Sequence, residues 1–142
     1  MTTIRGSLLF ALTLGLATCA TAKQTLVGKW AGALTVQGIK VDMVMICGKD
    51  NTMSFVQTAK GQSSTQKGKF KEGKKSFTFT VTSLESASIP KATLDSANAN
   101  MAKSPKTVTF NLEWKDDNNI SISQQGSQPP LDAKIKLKRQ LK

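Results

Sequence analysis

Between Gly28 and Arg139, apolar residues recur at every second position in short runs. Side chains on a β-strand alternate between two faces, so this period means strands with one buried face. Phe77, Phe79 and Val81 face one way and Ser76, Thr78, Thr80 and Thr82 the other. The last run behaves the same way: Leu131, Ala133, Ile135, Leu137, Arg139 and Leu141 share one parity, and lysines dominate the other. Turn residues separate the runs at Gln37-Gly38, Gly48-Lys49-Asp50-Asn51, Lys60-Gly61, Lys71-Glu72-Gly73-Lys74 and Lys115-Asp116-Asp117-Asn118. About eight short strands in one small domain predict an all-β fold, an antiparallel up-and-down barrel, because closure removes the sheet edges.

Two stretches depart from the pattern. Met43-Val44-Met45-Ile46 is apolar on both parities, which predicts a strand covered on both sides. Leu84 to Pro105 is rich in Ala, Ser and Asn. It reads as a short helix or ordered loop between strands 5 and 6, with Ser88 as a cap, Pro90 in the first turn, and Leu94, Ala97 and Met101 on one face. An insertion of this length either is a spacer or covers a binding site.

The first 22 residues stand apart. Arg5 precedes an apolar stretch from Leu8 to Ala17, and small residues follow as far as Ala20-Thr21-Ala22. The stretch is shorter than the ~20 residues a permanent span needs, and the order is that of a secretory signal peptide cut after Ala22. Residues 1–22 are thus the expected signal peptide and 23–142 the folded domain, exported to a periplasmic, extracellular or envelope location. The alternative is anchorage. Leu16-Ala17-Thr18-Cys19 resembles the lipobox of bacterial lipoproteins, in which Cys19 would be acylated; Thr18 departs from the usual Gly, Ala or Ser.

The net charge is +11, or +10 once Arg5 leaves with the leader. Lysine supplies nearly all of it; Arg139 is the one arginine after Arg5. Planar recognition of bases and phosphates favours arginine, and an exported address argues against a nucleic-acid partner. The lysines at 67, 69, 71, 74, 75, 134, 136 and 138 read either as a solvated outer face or as a surface for an anionic partner, acidic lipid or polysaccharide in the cell envelope.

Several chemistries lack their residues. The chain has no histidine, which removes His-dependent nucleophile arrangements. Past the leader, Cys47 is the single cysteine; it offers no disulfide and no thiolate zinc site, and its parity with Met43 and Met45 makes it a buried thiol. Asp116-Asp117-Asn118-Asn119 matches no EF-hand loop. Gly68 and Gly73-Lys74 stand at Walker-like spacing, but Lys75 occupies the Ser/Thr position. No enzyme is indicated and no cofactor is expected.

Gly28-Lys29-Trp30 at the head of the first strand resembles the Gly-x-Trp motif of lipocalins and their calycin relatives. In that superfamily the tryptophan closes one end of the barrel and a basic residue of the final strand packs over it. The resemblance implies that Gly28, Trp30 and Arg139 close this barrel, unless Arg139 instead reaches past the rim to solvent. The Thr-Asp-Tyr segment of the family is absent, and the chain has no tyrosine. Small barrels are either filled by side chains or hold one ligand. The expected function is therefore non-enzymatic binding of a small apolar or amphipathic ligand, with Met43, Met45, Phe55, Phe77, Phe79, Phe110 and Leu112 as candidate contacts. The alternative is an envelope interaction or structural domain with a packed barrel, in which those seven residues are ordinary core.

Overall fold

The computed structural model describes residues 24–126 and 133–141. The expected leader, Ala22, Cys19 and Leu131 lie outside the described residues. Eight strands run in chain order: β1 Gly28–Val36, β2 Ile39–Cys47, β3 Thr52–Ala59, β4 Gln62–Glu72, β5 Ser76–Ser86, β6 Lys106–Asp116, β7 Asn119–Gln124 and β8 Ile135–Arg139. One helix, α1 (Lys91–Lys103), lies between β5 and β6. Each strand pairs antiparallel with the next, and β8 returns to β1 to close the barrel.

The parities read from the sequence hold along the strands, but Leu141, on the inward parity of the last run, lies past β8 and is 75% exposed. Trp30, Met43, Met45, Phe55, Phe77, Phe79, Leu112, Ile120, Ile122 and Leu137 are all buried inside. Tight hairpins set the register: Gln37-Gly38 and Lys60-Gly61 all have positive φ, the geometry whose twist matches two antiparallel strands. One irregularity re-aims a side chain. Lys67 pairs with Ser83, but Gly68 pairs with Val81, so β5 carries an extra residue at Thr82. After this bulge the inward position falls on Leu84. Gly68 makes the bulge feasible, because a Cβ there would run into the Thr80 carbonyl.

Three local expectations are corrected. The outer side of β2 is not covered: Val44 is half-buried and Ile46 is 44% exposed, because α1 packs on β5 instead. Ser88 does not cap α1, which starts at Lys91 with Pro90 at the N-cap and no side-chain cap bond; the Ser88 hydroxyl lies 2.9 Å from that of Ser86. The final strand is also shorter than its alternation, since β8 covers only Ile135–Arg139.

Candidate functional site

The two ends of the barrel differ in kind. At the end where β1 begins and β8 finishes, the interior is sealed. Trp30 is fully buried, donates its indole N–H to the Leu26 carbonyl at 2.8 Å, and meets Trp114 edge-to-face at 5.9 Å between centroids. Arg139 covers the Trp30 ring with its guanidinium carbon 4.2 Å from the centroid. It donates to the carbonyls of Val27 (2.7 Å), Thr25 (2.8 Å) and Asp117 (3.1 Å). A cation this close to the core keeps its hydrogen-bond partners, which lowers the cost of leaving water. Gly28 leaves room for it: a Cβ at Gly28 would stand 2.8 Å from Arg139 Nη1. Gly28, Trp30 and Arg139 thus meet at one end, and Arg139 turns inward.

Residues 24–27 complete this seal. Leu26 is fully buried, and its N–H donates to Glu72 at 3.1 Å. Cys47 lies in the same region; burial pushes its thiol up to about 12, with the Glu72 charge adding to that and Arg139 opposing it. It is a packing group at ordinary pH, not a nucleophile.

Toward the other end the interior is hollow. A cavity of about 350 Å³ opens there, at the small end of the range for ligand pockets. Phe110 forms its floor. It stacks on Phe77, its cross-strand partner on β5, at 5.0 Å and on Phe55 of β3 at 6.3 Å. Leu34, Met43, Phe79, Val81 and Val108 line the apolar wall. The polar part of the lining is Gln57, Gln66, Gln124 and Lys106; Lys106 stands at the start of β6, and Gln124 is the cross-strand partner of Phe110.

Helix α1 lies against this open end. Met101 reaches the cavity, and Leu94, Ala97 and Asn98 are half-buried with it. The Asn98 carboxamide pins the helix to β5: it accepts from the Leu84 N–H at 2.7 Å and donates to the Leu84 carbonyl at 3.0 Å. The helix buries no residue completely, so this amide pair is its main polar tie to the barrel.

Of the seven candidate contacts, Met43, Phe55, Phe79 and Phe110 line the cavity. Met45, Phe77 and Leu112 do not; each lies one inward position deeper on its own strand, in the packed part. Alternation gives the face of a residue but not its depth along the barrel. Val81, Leu84, Met101, Lys106, Val108 and Gln124 were not among the candidates. Val81 and Val108 were recoverable, since they share parity with Phe79 and Phe110 and flank the insertion that marks the open end. Leu84 was hidden by the bulge.

The lysine-rich surface divides. Lys67, Lys69 and Lys71 point outward from β4, and Lys134, Lys136 and Lys138 lie outward along and just before β8. These strands are four apart in a ring of eight, on opposite sides of the barrel. Some of this charge is also paired, Lys67 with Glu85 at 2.8 Å and Lys134 with Glu113 at 3.3 Å. The Asp116 carboxylate serves its own turn: the Asn118 N–H and the Asn119 amide hold it below the usual carboxylate range. Among the described residues no three His, Cys, Asp or Glu gather as a metal site, and no helix is long and apolar enough to cross a membrane.

A scan of protein-family models matches none of them to the chain, and a search of curated proteins finds no match.

Proposed function

We propose that this protein is an exported, lipocalin-like carrier that holds one small apolar or amphipathic molecule in the open half of its barrel. The observation that carries the reading is the contrast between the ends. One is sealed by Trp30, Arg139 and Leu26, while the other contains a cavity of about 350 Å³ floored by Phe110. A barrel needing only a core has no use for such a hollow, because each lost contact around an unfilled space costs stability. The stack of Arg139 on Trp30 at the Gly-x-Trp end supports the likeness to lipocalins. The apolar stretch from Leu8 to Ala17 with its small-residue site at Ala22 supports export. The cavity is lined by apolar side chains, three glutamines and one lysine, a composition that suits a binding pocket.

The test is native mass spectrometry of protein purified from its own host, beside a variant with Val108→Trp filling the cavity. The expected result is an added mass, released by organic solvent, on the wild type alone. A bare mass on the wild type, together with no displacement of an environment-sensitive dye by any alkyl compound, would overturn the reading.

A further inference from the structure

We infer that the sealed end of the barrel is a docking face for a membrane surface rich in anionic phospholipid, which leaves the open end pointing away from the bilayer. The inference goes beyond ligand binding and does not depend on what the cavity holds. Lysines crowd this end. Lys69 and Lys71 lie at the end of β4, Lys74 and Lys75 stand in the turn to β5, Lys49 stands in the turn after β2, and Lys29 is near the start of β1. All six are exposed. The ion pairs of the described residues take other lysines, namely Lys40, Lys67, Lys91, Lys115 and Lys134.

The carboxylates within this arc are bonded locally. Glu72 accepts from the Leu26 N–H and the Thr25 hydroxyl, and Asp50 accepts from the Thr52 N–H and hydroxyl. Six cations against these two anions leave the arc positive. Asp116 and Asp117 mark its limit at the β6–β7 turn, so the docking face is centred on β1 to β5 and not on the barrel axis.

Apolar exposure decides between anionic partners. Three large apolar side chains are exposed among the described residues, and two of them, Ile46 and Leu141, belong to this end. Ile46 is the cross-strand partner of Lys29. Leu141 follows Gln140, whose N–H donates to the Lys29 carbonyl at 2.8 Å. The half-buried Trp114 opens on a surface pocket beside Gln24, Glu72 and Lys74. A hydrated acidic polysaccharide gains little from exposed leucine and isoleucine. A bilayer accepts such side chains at its headgroup boundary while the lysine ammoniums stay among the phosphates. Tryptophan favours the same interface. Gln24 also brings the preceding chain to this end. Cleavage after Ala22 would add the Lys23 side chain and its α-amino group there.

The experiment is flotation of the full chain, as its host processes it, with vesicles of phosphatidylcholine alone or with about one-third phosphatidylglycerol. The protein carries Cys19→Ser, so that no acyl chain contributes. Binding is expected to the anionic vesicles only and should weaken steeply with salt. It should shift tryptophan emission to the blue through Trp114, since Trp30 is already fully buried. Lys74→Gln with Lys75→Gln should weaken binding about twenty-five-fold, from about fivefold per lysine. Lys60→Gln with Lys103→Gln removes the same charge from the open end and should change it by less than about twofold. Leu141→Ser should weaken vesicle binding about fivefold and leave dextran sulfate, a soluble polyanion, bound as before. No binding to anionic vesicles at low salt would overturn the inference. Equal loss from the two lysine pairs would do the same, since net charge would then be the cause. Vesicle binding with a silent Trp114 and no response to Leu141→Ser would make the face a polyanion site and overturn the choice of a membrane. The four substituted lysines are exposed, so unchanged thermal melting of both pairs separates lost docking from lost fold. The native-mass test of the cavity is independent of all these variants.

Discussion

The guanidinium of Arg139 lies over the Trp30 ring at 4.2 Å and ties together three carbonyls from two separate segments, Thr25 and Val27 before β1 and Asp117 after β6. One side chain therefore joins the first and last strands and the β6–β7 turn. Removing it strands those acceptors. Arg139→Ala should cost about 3 kcal/mol in urea unfolding, from the lost charged hydrogen bonds and the cation–π contact. Arg139→Lys keeps the charge but loses the planar fork, and should recover less than half of that. A loss below about 0.5 kcal/mol for the alanine variant would show that the seal does not depend on this contact.

Cys47 gives a pH signature. Its thiol is raised from 9.0 to about 12 in the folded protein, first by burial and then by Glu72. A group whose folded pKa is raised contributes fully below its unfolded value and loses that contribution as pH climbs toward the folded one. Between pH 9 and 12 the wild type should thus lose stability more steeply than Cys47→Ala, by up to about 1.4 kcal/mol per pH unit. At pH 8 iodoacetamide should alkylate Cys47 only after denaturant is added. Rapid labelling of the native thiol would contradict its burial.

Glycines test two different constraints. At Gly68 a Cβ would strike the Thr80 carbonyl at the bulge, whereas at Gly38 nothing lies within 4 Å and the obstacle is the φ of +79°. Gly38→Ala should cost about 1 kcal/mol, the penalty of a left-handed alanine. Gly68→Ala should cost more, about 3 kcal/mol, because β4 and β5 must part to admit it. It should also shift Leu84 out of the cavity and reduce ligand binding. Equal costs at the two positions would mean that the bulge relaxes readily.

Legibility in the sequence followed the reach of each signal. Period two is a property of every strand, so Phe77, Phe79 and Val81 announced their shared face, and the run of turns announced closure. Trp30 and Arg139 are more than a hundred positions apart, yet their pairing could be expected from a resemblance that assigns roles to both. Depth along the barrel has no local signature, so Met45, Phe77 and Leu112 could not be told from Met43, Phe79 and Phe110. The bulge at Gly68 depends on the pairing of two strands, so the swing of Leu84 inward was invisible in β5 alone. The outer face of β2 departs from its sequence pattern for a similar reason. Val44 and Ile46 have the composition of a covered strand, but α1 has its half-buried face and Asn98 directed to β5.

That placement of α1 makes Asn98 the polar anchor of the helix on β5. The helix has a thin apolar face and no fully buried residue, so its attachment depends heavily on the two bonds from the Asn98 amide to the Leu84 backbone. Backbone hydrogen bonds of such weakly held elements open without global unfolding. Asn98→Ala removes both bonds, worth about 2 kcal/mol together, and should speed amide exchange in α1 by roughly thirtyfold at unchanged overall stability of the strands. The same change should raise the dissociation rate of a bound ligand more than its association rate, because Met101 then covers the cavity less of the time. Hydrogen exchange resolved by segment measures the first effect and stopped-flow displacement the second. Exchange in α1 that stays at the wild-type rate would show that packing by Leu94, Ala97 and Met101 suffices to hold the helix, and the open end would then be governed by those side chains and not by the amide.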